Sequence, residues 1–208
     1  MRVLGLVASL ILASSTLVHA QAYDRPKHTV GDTWSFTNGQ VVKVVKMSED
    51  SEVQVRSLPC PTCQWVLDKD GTLLQVLTED GKPADTGSFG FLPIGMKLTQ
   101  WPLEPGKKWR VEATGLSRGD NRPYVIDCTV SALEDVKTKA GTFKAYRIDR
   151  SWKIKVSYSG PSPNWNDAIW IAPAVKGLVK VDSGSRSPRP GDNLPTSSFE
   201  LESYKIAP

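Results

Sequence analysis

The chain has 208 residues, of which 39% are apolar, and this is enough for one domain with a core of its own. Its formal charge of +4 is spread along the sequence and lacks the dense basic face of a nucleic-acid-binding domain, so we predict no nucleic-acid partner. The sequence holds two histidines, His19 and His28, and this number excludes a histidine-rich zinc site. It also argues against a Ser-His-Asp or Cys-His catalytic arrangement, because each needs a histidine fixed in a pocket. We therefore expect no metal, no cofactor and no catalytic residues.

Residues 1–20 are predicted to form a cleavable signal peptide. Arg2 supplies a short positive region, residues 4–13 form an apolar run, and Ala20 is a small residue at the expected cleavage site. The apolar run is too short to span a bilayer, so we do not expect a membrane-spanning chain. Loss of Arg2 would lower the formal charge from +4 to +3. The mature chain is expected to be soluble and either periplasmic or secreted.

After the cleavage site we expect a flexible lead-in at residues 21–29 and a single β-rich domain at residues 30–208. His28 falls within the lead-in, where a mobile position is a more natural interpretation than a catalytic one. Asn-Gly and Asp-Gly pairs, each flanked by β-rich runs, indicate hairpin turns in the first half of the domain. These pairs occur at residues 38–39, 70–71 and 80–81.

Cys60 and Cys63 form a C-x-x-C motif, for which a structural disulfide, a redox dithiol and half of a zinc site compete. A redox dithiol usually has a helix N-terminus after its first cysteine, but residues 64–71 have the pattern of a strand that runs into a turn. A zinc site needs four ligands, and only Cys128 and the distant His28 remain. Export favours a Cys60–Cys63 disulfide, with Cys128 as a small buried apolar residue.

The clearest strand signal covers residues 144–158, where from Tyr146 onward even positions are apolar and odd positions polar, apart from Arg150. Because strands usually have about 3–10 residues, we expect this one to bend, to bulge near Arg150 or to curl around a core. Residues 124–132 alternate in the same way, and residues 139–142 form the turn between the two strands. The predicted fold class is all-β, a single antiparallel sheet curved into a sandwich or half-open barrel, with little helix.

Seven tryptophans are many for this length, and they either fill the core or line a ligand site. Trp152 shares its strand face with core residues, which favours the core. Trp165 is predicted to lie in a loop, where exposed aromatic residues often bind ligands or partners. The candidate ligand- or partner-binding residues are Trp165, Trp170, Trp152 and Tyr158.

Three segments carry a resemblance to known proteins: VKTKAGTFKAYRI at residues 136–148, WIAPAVKGLVK at residues 170–180 and ELESY at residues 200–204. They resemble a group of exported bacterial proteins of unknown function with the pattern A-G-T-F … W-x-A-P-x-V-G-x-V-K … E-L-x-S-Y. In this chain Lys176 is inserted between the valine and the glycine of the second segment, which alters the expected tight turn. The group is similar in architecture to half-open β-barrels of periplasmic lipoprotein and lipid carriers, and this resemblance implies a ligand cavity.

From these features we predict an exported, non-catalytic envelope protein and not an enzyme. In the first hypothesis its curved sheet binds a lipid-like or other apolar ligand. In the second it is a protein–protein interaction or structural module of the cell envelope, which would use the loop at residues 183–197, the Trp165 loop or an edge strand. In the third, Cys60 and Cys63 form a thiol-disulfide active pair. An apolar cavity would favour the first hypothesis, and an interior filled by side chains would favour the second.

Overall fold

The computed structural model of the chain describes residues 22–85, 91–117, 120–155, 164–184 and 198–208. The predicted signal peptide, residues 1–20, lies outside this part. Among the described residues the backbone forms twelve strands and one 3-10 turn, Pro173–Val175. The strands are β1 (Thr33–Phe36), β2 (Val41–Met47), β3 (Ser51–Arg56), β4 (Gln64–Asp68), β5 (Leu73–Leu77), β6 (Phe91–Leu92), β7 (Lys108–Ser117), β8 (Asp120–Thr138), β9 (Gly141–Ile154), β10 (Asn164–Ala172), β11 (Gly177–Asp182) and β12 (Phe199–Lys205).

All twelve strands belong to one antiparallel sheet with the order β5-β4-β3-β2-β1-β12-β11-β10-β9-β8-β7-β6. Strands that follow each other in the chain lie side by side, except β5 and β6, which form the two edges of the sheet; in addition, the first strand, β1, pairs with the last, β12. In that pairing Trp34 lies opposite Tyr204. The sheet remains open between β5 and β6 and is not closed into a barrel, so the predicted all-β sheet with little helix is confirmed. Within the described ranges, no helix is long and apolar enough to cross a membrane.

The predicted hairpin with a turn at residues 139–142 is formed by β8 and β9, the two longest strands. Its register shifts between Val130 and Ala132 of β8, and not near Arg150 of β9, where a bulge was one of the three expected adjustments. Arg150 keeps the regular alternation because its guanidinium group binds both carboxylate oxygens of Asp167 on the neighbouring strand, at 2.7 Å each. The polar side chain is thus accommodated on an apolar face without a backbone irregularity.

The sheet is buried on both of its faces around β9 and β10. Ile169 and Ile171 of β10 pack into one apolar cluster together with residues of β7, β8 and β9. Their neighbours Ala168 and Trp170 belong to a second cluster on the opposite face, where β1, β2 and β12 curl over them. A third and smaller cluster surrounds Trp65 of β4. In these regions the space between the layers is filled by side chains.

The segments that carry the family resemblance contact one another in the structure. Ala140, in the turn between β8 and β9, donates its backbone N–H to the carbonyl oxygen of Leu201 at 3.1 Å. The ring of Phe143 packs edge-on against Tyr204 at 5.9 Å. The A-G-T-F and E-L-x-S-Y segments therefore join the tip of the long hairpin to β12, which is an architectural role.

The predicted flexible lead-in is tied to the sheet at several points in its described residues. Tyr23 exchanges two backbone hydrogen bonds with Leu103, at 2.9 and 2.8 Å. His28 contacts the carboxylate of Glu52 through Nδ1 at 2.8 Å and the carbonyl oxygen of Lys176 through Nε2 at 2.7 Å. These contacts place His28 against the sheet, with partners far away in the sequence that no local pattern shows.

Lys176, the residue that departs from the family pattern, adopts a left-handed backbone conformation with φ 54° at the end of the 3-10 turn. This conformation turns the chain back into β11, and the following Gly177 lets the indole of Trp34 approach closely. The indole N–H of Trp34 donates to the carbonyl oxygen of Val175 at 2.8 Å. The Lys176 ammonium lies 3.4 Å from the fully buried carboxylate of Asp32. The inserted lysine thus anchors the turn to β1.

Candidate functional site

Trp165, predicted to lie in an exposed loop, is the second residue of β10 and is 8% exposed. It lies opposite Trp152 of β9, and the two indole rings stack at 5.3 Å with an angle of 10° between their planes. Tyr124 packs edge-on against both rings. The loop placement of Trp165 was therefore wrong, because cross-strand stacking extends β10 into the Pro/Asn-rich segment. A binding role for Trp152 and Trp165 stays a prediction.

Trp170 lies on the opposite face of β10 and is 6% exposed. Its indole N–H donates to a carboxylate oxygen of Glu134 at 2.7 Å. The Arg147 guanidinium and the Lys180 ammonium lie over its ring at 5.3 and 5.2 Å. The indole ring of Trp170 therefore makes cation–π contacts with two positively charged side chains. The fourth aromatic candidate, Tyr158, lies outside the described residues, and the ligand-binding role of all four residues stays a prediction.

A polar groove of about 450 Å³ lies on the sheet face formed by β8, β9, β10 and β11, next to Trp170. Its walls combine carboxylates, guanidinium groups, hydroxyls and an amide. Gly184 lies at one end, where the Cβ of any other residue would collide with the carbonyl oxygen of Asn166. The groove is lined by Asp127, Thr129, Arg147, Asp149, Arg150, Ser151, Asn166, Asp167, Ala168, Asp182 and Gly184.

The strand register brings these polar residues together. On β9, Asp149 and Ser151 are two positions apart and therefore share a face. Asp149 lies opposite Thr129 of β8 and Ala168 of β10, and Ala168 in turn lies opposite Asp182 of β11. Ser151 begins a second rung of the same kind along the groove. The groove is thus a surface of the regular sheet and does not depend on the conformation of one loop.

Two carboxylates of the groove, those of Asp127 and Asp182, have pKa values below the ordinary value of aspartate. The N–H of Arg110 donates to Asp127 at 2.7 Å and holds the pKa of that carboxyl below its ordinary value. The backbone N–H of Gly184 and the hydroxyl of Ser198 donate to Asp182 and lower its pKa as well. Among the lining residues, the carboxylates of Asp127, Asp149 and Asp182 share the groove face with the guanidinium group of Arg147, so the lining carries a net negative charge.

Arg150 and Asp167 alternate with the groove residues along β9 and β10 and lie on the opposite face of the sheet, where their side chains are 11% and 13% exposed. The Arg150 guanidinium also lies 5.2 Å from the ring centre of Trp152. Cys128 lies directly opposite Arg150 in the register and is 1% exposed. Burial raises the pKa of the Cys128 thiol to about 12, so this cysteine stays protonated and unreactive at neutral pH.

The other two cysteines, Cys60 and Cys63, are joined in a disulfide. No helix begins at Cys60, since residues 61–62 form a turn and β4 begins at Gln64. A thiolate formed on reduction would therefore lack the helix N-terminus that lowers the pKa of redox-active cysteines. Across the described ranges, no three side chains of His, Cys, Asp and Glu come together in a way that could hold a metal ion.

A second polar feature lies inside the sheet, where β3 places Glu52, Gln54 and Arg56 on one face. The Glu52 carboxylate, 1% exposed, accepts hydrogen bonds from Arg25 at 3.1 Å, from His28 at 2.8 Å and from Gln54 at 2.6 Å. Burial alone would raise the pKa of Glu52, but the hydrogen bond and the charge of His28 outweigh it and lower the pKa. The five residues form one buried ionic cluster that joins the lead-in to β3.

Sequence reasoning missed both the groove and the buried ionic cluster. The groove carboxylates are dispersed over four strands, and none of them belongs to a recognisable motif. In β3 the sequence E-V-Q-V-R alternates in a regular way, but this pattern predicts that the valines face the core and the charges face solvent. Val53 is buried, and so are Glu52 and Gln54 on the other face.

No protein family model matches the sequence, and no curated protein sequence matches it. Solved structures with a similar outline include the hypothetical lipoprotein YmcC from Escherichia coli K12, with a TM-score of 0.47 and 9% identity over 86% of this chain and 89% of that chain. A protein assigned as a lipoprotein from Parabacteroides distasonis gives a TM-score of 0.47 and 12% identity over 89% and 100% of the two chains. An exported protein with a YmcC-like fold from Bacteroides fragilis gives a TM-score of 0.45 and 14% identity over 89% of this chain and 100% of that chain. At such identities these likenesses say nothing about the function of this chain.

Proposed function

We propose that the protein is an exported, non-catalytic interaction protein of the cell envelope, and that a partner protein docks in the polar groove. The observation that carries the proposal is the groove itself, a cleft of about 450 Å³ lined by charged and hydroxyl side chains on a regular sheet surface. Its rim is accessible, because the side chains of Arg147 and Asp149 are 40% and 41% exposed. These groups are fixed by the register and by each other, which keeps the loss of entropy on binding low.

The net negative charge of the lining favours a partner segment that brings basic and hydroxyl groups. Complementary charge mainly sets specificity and association rate, so we expect docking to weaken with rising salt. The first hypothesis from the sequence, an apolar ligand in the sheet interior, has less support. The two sheet faces around β9 and β10 are filled by packed aromatic and aliphatic side chains, which leaves the groove as the better-formed recognition surface.

The proposal is tested by photo-crosslinking in living cells of the source organism. A benzophenone amino acid replaces Asn166, an exposed residue of the groove, and as a control Lys43, an exposed residue of β2 outside the groove. We expect a discrete covalent adduct from position 166 and none from position 43. Equal labelling at both positions, or no adduct from position 166 in protein that reaches the envelope, would count against the groove.

A further inference from the structure

A second cavity, of about 100 Å³, lies beside the opening of the sheet. One side is formed by β3, β4 and β5, and the other by the residues that follow β6. Apolar side chains form about half of its wall, and Arg56 is the cation among the lining residues. The apolar lining residues are Leu67, Leu73, Pro93, Met96 and Leu98, with the hydroxyl residues Thr72 and Thr99 beside them.

Arg56 is a partly buried cation, and among the described residues it has no carboxylate in hydrogen-bond contact. Its Nε and Nη2 atoms both donate to the same oxygen of Gln54, at 3.3 and 3.0 Å, and this acceptor is a neutral amide. On its other side the guanidinium group lies 4.5 Å from the ring centre of Trp65. Burial lowers the pKa of Arg56 to about 10, which shows that removal from water disfavours its charge. The group would gain from an anionic partner.

The neighbouring buried ionic cluster has more positive than negative charge. Both ring nitrogens of His28 face acceptors, the Glu52 carboxylate and the Lys176 carbonyl oxygen, so both must carry a proton and the ring is an imidazolium. Arg25 adds a second cation, and the Glu52 carboxylate has to serve both of them as well as the more distant Arg56. Three positive groups thus surround one negative group.

The carboxylate nearest to the cavity rim does not correct this imbalance. Asp70 lines the cavity, but its side chain is 48% exposed and faces the ammonium group of Lys97 at 3.7 Å. Its backbone carbonyl oxygen accepts the indole N–H of Trp101 at 3.1 Å. The positive charge of Arg56 is therefore compensated weakly from within the chain.

We infer that this cavity binds the carboxylate end of an aliphatic chain, with the carboxylate on the guanidinium group of Arg56 and the first carbons against Leu67, Leu73 and Met96. The volume equals that of about three waters at roughly 30 Å³ each, so it holds a head group and a few carbons while the rest of the chain leaves past the rim. A planar guanidinium group matches a carboxylate in two parallel hydrogen bonds. This site is separate from the polar groove and does not depend on its function.

Calorimetric titration of the mature protein with octanoate tests this site, with 1-octanol as the probe that keeps the chain and lacks the charge. We expect saturable binding of octanoate and at least tenfold weaker binding of octanol. Because a hydrogen-bonded charge pair contributes about 1.5–3 kcal/mol, Arg56→Gln should weaken octanoate binding by about tenfold to hundredfold. Arg110→Gln removes an exposed arginine far from the cavity lining and serves as the matched control.

A second variant, Leu98→Trp, fills the cavity from its rim and leaves the ion pairs intact, so it decides the question if Arg56→Gln does not fold. We expect it to abolish octanoate binding. A short peptide with an apolar C-terminus, acetyl-Ala-Leu-Leu, tests whether the carboxylate can come from a peptide, and binding that depends on Arg56 supports the same site. The inference is overturned if octanoate does not bind, if octanol binds equally well, or if both variants bind octanoate like the parent. None of these results bears on crosslinking from the groove.

Discussion

Replacement of Glu52 by glutamine tests how the lead-in is held to the sheet. The variant keeps the shape of the side chain and removes the charge that Arg25 and His28 share, at 3.1 and 2.8 Å. Removing one partner of a buried ion pair costs about 3–5 kcal/mol because the remaining charge stays buried and unpaired. The matched control is Glu112→Gln, in an exposed pair with Lys155 for which we expect about 0–1 kcal/mol.

The cost of Glu52→Gln should depend on pH in a defined way. Burial alone would lower the pKa of His28, but the hydrogen bond and charge of Glu52 outweigh it and raise the pKa above its ordinary 6.5. The stabilisation from His28 is therefore complete below 6.5 and is lost as the pH rises through the folded pKa. The lowered pKa of Glu52 acts in the opposite direction, so its stabilisation is present above 4.5 and is lost as the pH falls through the folded pKa.

The assay is urea unfolding of the parent protein and both variants, followed by tryptophan fluorescence between about pH 4 and pH 9. We expect the free energy lost in Glu52→Gln to be largest between the two ordinary pKa values of 4.5 and 6.5 and to shrink on either side. A loss of unfolding free energy no greater than that of Glu112→Gln would show that the buried ion pairs of Glu52 do not stabilise the fold. So would a large loss that does not change with pH, because it would come from packing and not from charge.

Three further predictions concern the core and the cysteines. In folded protein at pH 8, iodoacetamide should leave Cys128 unmodified, because its thiol is buried with a pKa of about 12. The same reagent should label Cys128 after denaturation, and rapid labelling of native protein would contradict its burial. The double substitution of Cys60 and Cys63 by serine should cost about 2 kcal/mol or less of unfolding free energy, because the loop it opens is short, and loss of folding would show a larger role. Trp152→Ala removes a ring stacked on Trp165 and should cost about 3–5 kcal/mol, measured by urea unfolding, whereas a cost below about 1 kcal/mol would indicate that the ring is not part of the core.

Local patterns in the sequence were sufficient to predict the class of fold. The alternation in residues 124–132 and 144–154 and the turn between them appear in the structure as β8 and β9, because side-chain direction in a strand has a period of two. The glycines of the predicted turns at residues 39, 71 and 81 all adopt the positive φ values that tight hairpin turns require. These features depend on neighbours in the chain, and a single sequence shows them.

Features that depend on distant residues could not be predicted in this way. Trp165 belongs to β10 because it stacks on Trp152, and the sequence shows a proline- and asparagine-rich segment in which a loop is the natural expectation. His28 is fixed by Glu52 and by the backbone of Lys176, 148 positions further on. Likewise, Asp182 joins the groove through the pairing of β10 with β11. In each case the contact follows from the strand register of the sheet, and no single segment of the sequence determines that register.

Charge reversal separates the effect of the groove charges on partner binding from their effect on the stability of the fold. Asp149→Lys changes the sign of one groove carboxylate, while Asp135→Lys makes the same change on β8 at a side chain that is 70% exposed and outside the groove. Both variants should have the circular dichroism spectrum of the parent. Their free energies of unfolding should differ from that of the parent by no more than about 1 kcal/mol, because exposed charge pairs contribute little to stability.

The most direct test of the proposed docking site is the yield of the adduct from the photo-crosslinker at position 166 in these two backgrounds. We predict that Asp149→Lys reduces the yield at least tenfold and that Asp135→Lys leaves it unchanged. An adduct that forms equally well in both backgrounds would contradict the proposal that the charged groove recognises the partner.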